Sequence, residues 1–573
     1  MGHDDRVVRE TVPFHRWLDE HRLSRRAAIR GTAGAGAALA AAFGARPIQA
    51  AVRAAQGASA SPETLIVAWD QVPDNLDPQT ARGNRNWWVL AEIYDTLTYL
   101  PEGSLDPAPQ LAESWEVSPD GLNYTFKLRQ GVKFTTGAEL TAEAVKFSIN
   151  RLHEIQLGPL YMTAAYDRSE VIDPTTVAFT LKYPYPAWPV ILSNPAVLGV
   201  IDPAFVEANG GSTPEERNDF ISTNTAGTGA FMLQEWQQGQ RIVLARNPDY
   251  WKGWDGPHVE EVILETVPEE STRLLRLERG DVDIATVTAN TLPQLEQRIE
   301  SQNLPIVIQK ERDGQPLLSL STMWLNLNNR LLPTSDINVR KALIHTFNHD
   351  LWIETVLKGY GLRMEGMIPR GVLGHVDDYP SYPYDLAKAK EFLDQASPEA
   401  KAELEKGLLF RYASGYVIYK EGALLWQQDL DQIGIKLDLE EIDQATLSSL
   451  QTSAPGVPIV EARWFPDYPD PDNFINAART DYWPPEGYGA AFAGDEQTDE
   501  LVASGRAEQD PEERAAIYRE LELYFHEQAS ILMLAEISGV INPWNARAAW
   551  VQGFEHNPMI HPLYYPVYKE EPA

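Results

Sequence analysis

The chain has 573 residues, no cysteine, 43% hydrophobic residues and a formal net charge of -34. That length calls for two or three domains, and the hydrophobic fraction builds their cores without staples. So negative a charge leaves no basic footprint for nucleic acid and suits a soluble, self-repelling protein; the missing cysteine removes disulfides, thiolate metal sites and cysteine nucleophiles together.

Residues 1–60 depart from the rest, with nine arginines against five acids. Ser24-Arg25-Arg26-Ala27-Ala28-Ile29-Arg30 runs into a weakly apolar Ala/Gly stretch from Gly31 to Gly44. Twin arginines before such a stretch resemble a twin-arginine export signal, with Ala28 standing where phenylalanine is usual. The stretch is too short and too rich in alanine and glycine for a stable membrane span. Ile48-Gln49-Ala50 and Ala58-Ser59-Ala60 both offer cleavage sites. The expectation is a periplasmic or otherwise extracytoplasmic protein that, lacking cysteine, is not lipid-anchored.

Glu63 to Trp69 reads as a buried first strand. Ser114 to Gln130 reads as a hairpin: Trp115 and Val117 alternate, Ser118-Pro119-Asp120-Gly121 turns, and Tyr124, Phe126 and Leu128 share a face. Thr141 starts a helix through Arg151 with N-terminal capping chemistry. Thr176 to Leu181 is a strand. Phe231 to Trp236 and Arg241 to Arg246 form a strand pair, followed by a strand from Val259 to Val267. A helix from Glu269 to Arg279 stops at Gly280, and Val282 to Thr286 is again a strand. Helices follow at about 336–358, 384–396, 417–433 and 511–528. Strands lie between them near 322–327, 435–442 and 531–536. The fold class is α/β, with at least two lobes.

One loop stands out. Arg463 to Phe474 packs three prolines (466, 469, 471), three acids (Asp467, Asp470, Asp472) and four aromatics into twelve residues. The prolines bar it from a helix or central strand and hold it in one shape. A rigid loop presenting rings and carboxylates suits capture of a cation. A carboxylate in a dry cleft binds an ammonium far better than in water, and rings add apolar and cation–π surface. Asp470 and Asp472 read as turn caps, a common use of acids beside proline. Asp467 is the candidate ligand carboxylate.

Several segments together resemble family 5 of the extracytoplasmic solute-binding proteins, the dipeptide/oligopeptide binders of ABC importers. They are Leu111 to Gly121, Tyr124 to Phe134, Thr228-Gly229-Ala230-Phe231, Arg246-Asn247-Pro248-Asp249-Tyr250-Trp251, Gly280-Asp281-Val282-Asp283-Ile284, Asp336 to Leu343 and the loop itself. The likeness spans most of residues 62–570. It implies a two-lobed periplasmic-binding-protein-like fold, a hinged trap with an extra subdomain inserted in lobe one. The implied domains are 1–60 signal and linker, 61–312 lobe one with an insertion at about 92–222, 313–537 lobe two, and 538–573 returning to lobe one. By motif position Trp464-x-x-Asp467 would face the ligand's amino group, flanked by Arg463, Phe465 and Tyr468, with Trp87 and Trp88 as further aromatic surface. Dipeptide binders place an arginine for the ligand carboxylate near the position of Ala413. Arg411 is two residues away, on the same face of a strand, but its neighbours up to Tyr416 do not match. Arg411 and Tyr416 stay candidates, and a zwitterionic dipeptide is one cargo among several. Relatives also bind longer peptides, metal chelates, haem, opines and oligosaccharides, and the rings would suit sugars.

His345 and His349 are spaced four apart in the expected 336–358 helix, a two-imidazole arrangement without a third ligand. No phosphate-cradling loop or GxSxG elbow is present, so ATP hydrolysis falls to a partner. The expectation is a monomeric binding protein with no cofactor, no metal and no catalytic residue. It would take a peptide or similar small solute to an ABC permease with its cytoplasmic ATPase. An exported hydrolase acting on peptides or oligosaccharides is the alternative, and a sensor or chaperone role for the same trap is a third reading.

Overall fold

The computed structural model describes residues 63–570 apart from 72, 212–218, 289, 310, 313–314, 454–455, 485–486, 488, 539–545 and 554–562. The candidate export segment lies outside the described residues. Three large sheets organise the rest. Thr64–Trp69 is the parallel centre of the first, pairing with both Glu261–Thr266 and Ile284–Ala285. Every residue from Leu65 to Trp69 is buried, as a continuous apolar run between two covered faces requires. Arg241–Arg246 and Phe231–Gln237 extend one edge antiparallel. On the other edge Ala546–Ala548, from the far end of the chain, inserts beside Ile306–Ile308.

The second sheet is the hairpin expected around Ser118–Gly121, widened to four strands. Ala112–Val117 pairs with Asn123–Leu128, then come Thr176–Leu181 and Tyr166–Asp173, all antiparallel. Trp115 faces Phe126 in register, and the two rings stack at 6.0 Å. Tyr124, Phe126 and Leu128 are buried, so the period-2 pattern names the core face. The strand Tyr166–Asp173 escapes sequence reading because its charged residues break the alternation; only Tyr166 is buried. Helix Ala142–Ile155 packs on this sheet. Thr141 stands at its N-cap but makes no side-chain cap bond, contrary to the capping expected there.

The third sheet runs Gly361–Arg363, Ile531–Ser538, Leu318–Leu327, Ile459–Trp464, Leu408–Ala413, Leu437–Ile442. Its last two strands are parallel. Helix Val417–Gln432 joins them, as a parallel crossover requires. A second apolar core forms here around Trp352, Trp426, Phe410 and Leu534. The helix expected over 336–358 is two, Ile337–His345 and His349–Thr355. Asn348 breaks it by capping the second, its side chain accepting from the Leu351 N–H at 3.1 Å. His345 and His349 therefore share no helix face. Nδ1 of His345 and Nε2 of His349 each lie 2.7 Å from a backbone carbonyl, of Pro383 and Met533 respectively.

Candidate ligand site

The strand Ile459–Trp464 runs out of the third sheet straight into the proline-rich loop. One side chain fixes the loop from within. Asn473 Oδ1 accepts from Trp464 Nε1 and from the Asp467 N–H, each at 2.9 Å, and its Nδ2 donates to Asp467 Oδ2 at 3.3 Å. Asp470 caps the short 3-10 turn Pro471–Asn473, accepting from the Asp472 N–H at 3.0 Å. It also takes a two-pronged ion pair from Arg514 at 2.7 and 2.8 Å, with both side chains under 10% exposed. Capping is thus only part of what Asp470 does.

For Asp472 the turn-cap reading is wrong. Its Oδ1 accepts from Arg506 Nε at 2.6 Å and its Oδ2 from the Tyr185 hydroxyl at 2.7 Å. Burial alone would raise this carboxyl. Arg506 and Arg479 outweigh burial and hold it below the ordinary carboxylate range.

The loop faces the 160–195 region beside the four-stranded sheet. Asn194 Nδ2 donates to the Asp467 carbonyl at 3.1 Å, and the Tyr185 hydroxyl lies 3.1 Å from that of Tyr468. The Tyr161 phenol neighbours the Asp467 carboxylate and acts on it electrostatically. Between these segments lies a cavity of about 590 Å³, a size typical of small-molecule sites. Tyr161, Tyr183, Tyr185, Trp464, Tyr468 and Tyr482 supply its rings. Asp472, Arg479, Asp481 and Arg506 supply its charges. Tyr161 keeps 53% of its surface accessible, although it packs against the loop. Asp467 itself lines an adjoining cleft of about 20 Å³ with Trp87, Trp88 and Pro466, and meets the larger cavity through Tyr161. Burial raises its carboxyl to about 6, with the neutral donors Tyr161 and Asn473 pulling it part of the way back.

The family model for the bacterial extracellular solute-binding proteins, family 5 (middle region), matches residues 106–484. The chain belongs to that family. As a family 5 solute-binding protein it is the solute-capturing component of an ABC importer. It is 29% identical over 515 residues to the probable D,D-dipeptide-binding periplasmic protein DdpA of Escherichia coli, covering 88% of this chain and 93% of that one. It is 28% identical to di/tripeptide-binding protein 2 of Pseudomonas aeruginosa, covering 89% and 95%. Among solved structures it resembles the Helicobacter pylori periplasmic binding protein DppA in complex with the peptide STSA, with a TM-score of 0.71, 25% identity and 88% and 98% coverage. The substrate-binding protein CtaP of Listeria monocytogenes shares the fold with a TM-score of 0.76 at 21% identity, over 88% and 99% of the two chains. The two-lobed fold of the family is therefore the fold of this chain.

Within this solute-binding protein the sequence-named residues part company. Trp464 and Tyr468 line the cavity. Trp87 is buried on helix Asn84–Ile93, with its Nε1 donating to the Ala81 carbonyl at 3.2 Å, and reaches only the smaller cleft. Phe465 is 40% exposed and lines neither space. Arg463 stacks over Tyr416 at 4.9 Å and donates to its hydroxyl at 3.1 Å, away from both spaces. Arg411 pairs with Glu440 on the neighbouring strand at 2.7 Å and does not reach the cavity. Tyr161, Tyr183, Tyr185, Arg479 and Arg506 were not named from sequence. The tyrosines and the arginines come from segments 294 to 345 positions apart, and no local pattern links them.

Proposed function

We propose that the cavity captures a short peptide, or a similar small solute with a free amino group, for delivery to a membrane permease driven by a cytoplasmic ATPase. The observation that carries this reading is Asp467. It is a largely buried carboxylate, held only by neutral donors, and no cation acts on it among the described residues. An incoming ammonium takes the place of the Tyr161 hydroxyl and supplies the missing charge in a low-dielectric setting. The peptide-binding relatives support the choice of ligand. The protein acts as a monomer and by binding rather than catalysis, with lobe one at 61–312 and 538–573 and lobe two at 313–537. Native mass spectrometry of the purified protein tests the reading directly: a retained peptide mass is expected, and a retained neutral oligosaccharide would overturn it.

A pH dependence follows. Proton and ammonium compete for one carboxylate, and the free protein takes up the proton below pH of about 6. Affinity for an unblocked peptide should therefore fall as pH falls, roughly tenfold between pH 7.5 and pH 5. Titration calorimetry at the two values checks it, and Asp467→Asn should flatten the slope.

The protein is exported through the twin-arginine route, consistent with Arg25-Arg26 before the Ala/Gly stretch. Arg25→Lys with Arg26→Lys should leave unprocessed precursor in the cytoplasm on fractionation; normal export of that double variant would dismiss the route.

A further inference from the structure

The third sheet is built wholly from residues between Leu318 and Ser538, so the chain enters it once and leaves it once. Entry follows Ile306–Ile308 and exit precedes Ala546–Ala548, two strands paired side by side in the first sheet. The entering strand Leu318–Leu327 and the leaving strand Ile531–Ser538 are also neighbours. Rotation of one lobe against the other has to be absorbed by backbone dihedrals at these two crossings. The strand pairing is irregular at that end. Leu318 faces Ser538 and Thr322 faces Glu536, so four steps along one strand match two along the other, and the entering strand bulges. Leu320, inside the bulge, has a φ of 52°, a left-handed backbone that disfavours a side chain.

Such a backbone persists only where its surroundings hold it. Glu536 is 1% exposed, and its Oε1 accepts from the Leu320 N–H at 3.3 Å. Ser319 Oγ donates to the Ile537 carbonyl and accepts from the Ser321 N–H at 3.2 Å. The bulge also reaches the ligand loop, because Ser321 Oγ donates to the Trp464 carbonyl at 3.3 Å. Leu320 belongs to the apolar core that contains Tyr468 and Phe474 of that loop, whereas Met323, Leu325 and Leu327 of the same strand belong to the second core. In this conformation Asn194 and Tyr185 bond the loop to the 160–195 region, as in a closed trap.

We propose that this bulge is a spring in the hinge and that Glu536 is its catch. In the closed trap Glu536 positions Leu320 in the left-handed region and seats its side chain in the core of the loop. Opening returns Leu320 to an ordinary extended backbone and frees its N–H from Glu536. The closed form therefore carries a backbone penalty that the open form lacks. Bound cargo offsets that penalty through its extra affinity for the closed form, and the empty trap reopens. Glu536 and Leu320 set the balance between the two forms without touching the cargo.

The test uses the ligand-free protein. Glu116→Cys and Asp438→Cys, both at exposed positions of a chain with no cysteine of its own, carry spin labels on the second and third sheets. Double electron–electron resonance then reads the ratio of closed to open distances. Leu320→Ala and Leu320→Gly both remove the leucine packing, but only glycine adopts the left-handed backbone freely. Glycine should raise the closed-to-open ratio about fivefold over alanine. Glu536→Gln keeps an oxygen for the Leu320 N–H and should match wild type. Glu536→Met, of similar length but without that acceptor, should lower the ratio about fivefold or more. Equal ratios in the glycine and alanine variants would overturn the spring, because a left-handed residue with no part in closure changes stability alone. A glutamine variant that opens would overturn Glu536 as the catch, and this holds even if the methionine variant fails to fold.

Discussion

Asp467→Asn is expected to cost an unblocked peptide about 2–5 kcal/mol of binding free energy, the range for removing one partner of a buried charge pair. That is roughly thirtyfold or more in affinity. The amide keeps the shape of the side chain and its bond with Asn473, so the loss reports charge alone. The same substitution should stabilise the empty protein, and the sign follows from the pKa. The folded carboxyl sits at about 6, above the ordinary 3.8. Holding it ionised therefore costs the fold nothing below pH 3.8, progressively more up to about 6, and a constant amount beyond. At pH 8 the variant should unfold later than wild type by about 1–3 kcal/mol, with no difference at pH 4. Weaker binding with greater stability is the mark of a residue kept for function. Calorimetric titration and thermal melts measure the two arms. Unchanged affinity would move the protein away from amino-group recognition. Trp464→Ala and Trp87→Ala would then be the next variants to test, and a neutral oligosaccharide the next cargo.

Asp470→Asn, three residues on, should do the reverse. Asn can still cap the 3-10 turn through its carbonyl oxygen. It cannot neutralise Arg514, whose side chain is 5% exposed. Stranding a buried guanidinium costs about 3–5 kcal/mol, far more than loss of a turn cap. In a domain of about 200 residues that lowers the melting temperature by roughly 6–20 °C. Affinity should change little, because neither Asp470 nor Arg514 lines the cavity. A melting temperature within a degree of wild type would show the pair to be without net value. The sequence alone points to a slight effect here, because a carboxylate between prolines looks like a cap and nothing nearby in the chain announces an arginine 44 positions away.

The local rules carried what is local. Thr64–Trp69, the 112–128 hairpin and the 231–246 pair follow from apolar alternation and turn chemistry, whose physics acts over two to four positions. The rigidity of the 463–474 loop follows from its prolines alone. A run of motifs in fixed order was enough to indicate the two-lobed architecture, because some of them serve a close approach of that fold. In Thr228-Gly229-Ala230-Phe231, for example, Gly229 packs against the Glu92 and Ile93 backbone too closely for any Cβ. Tertiary structure decided the rest. Asn348 divides one periodic segment into two helices by its capping bond, which periodicity cannot register. Asp472 became a cavity charge instead of a turn cap because tertiary packing brings Tyr185 and helix-borne Arg506 to it from 287 and 34 positions away. Arg411 was drawn to Glu440 by the parallel pairing of its strand, and the cavity's arginines came from elsewhere. The charge on a cavity wall depends on which distant segments meet there, and the free energy of that meeting is spread over whole apolar cores rather than written in any short stretch of chain.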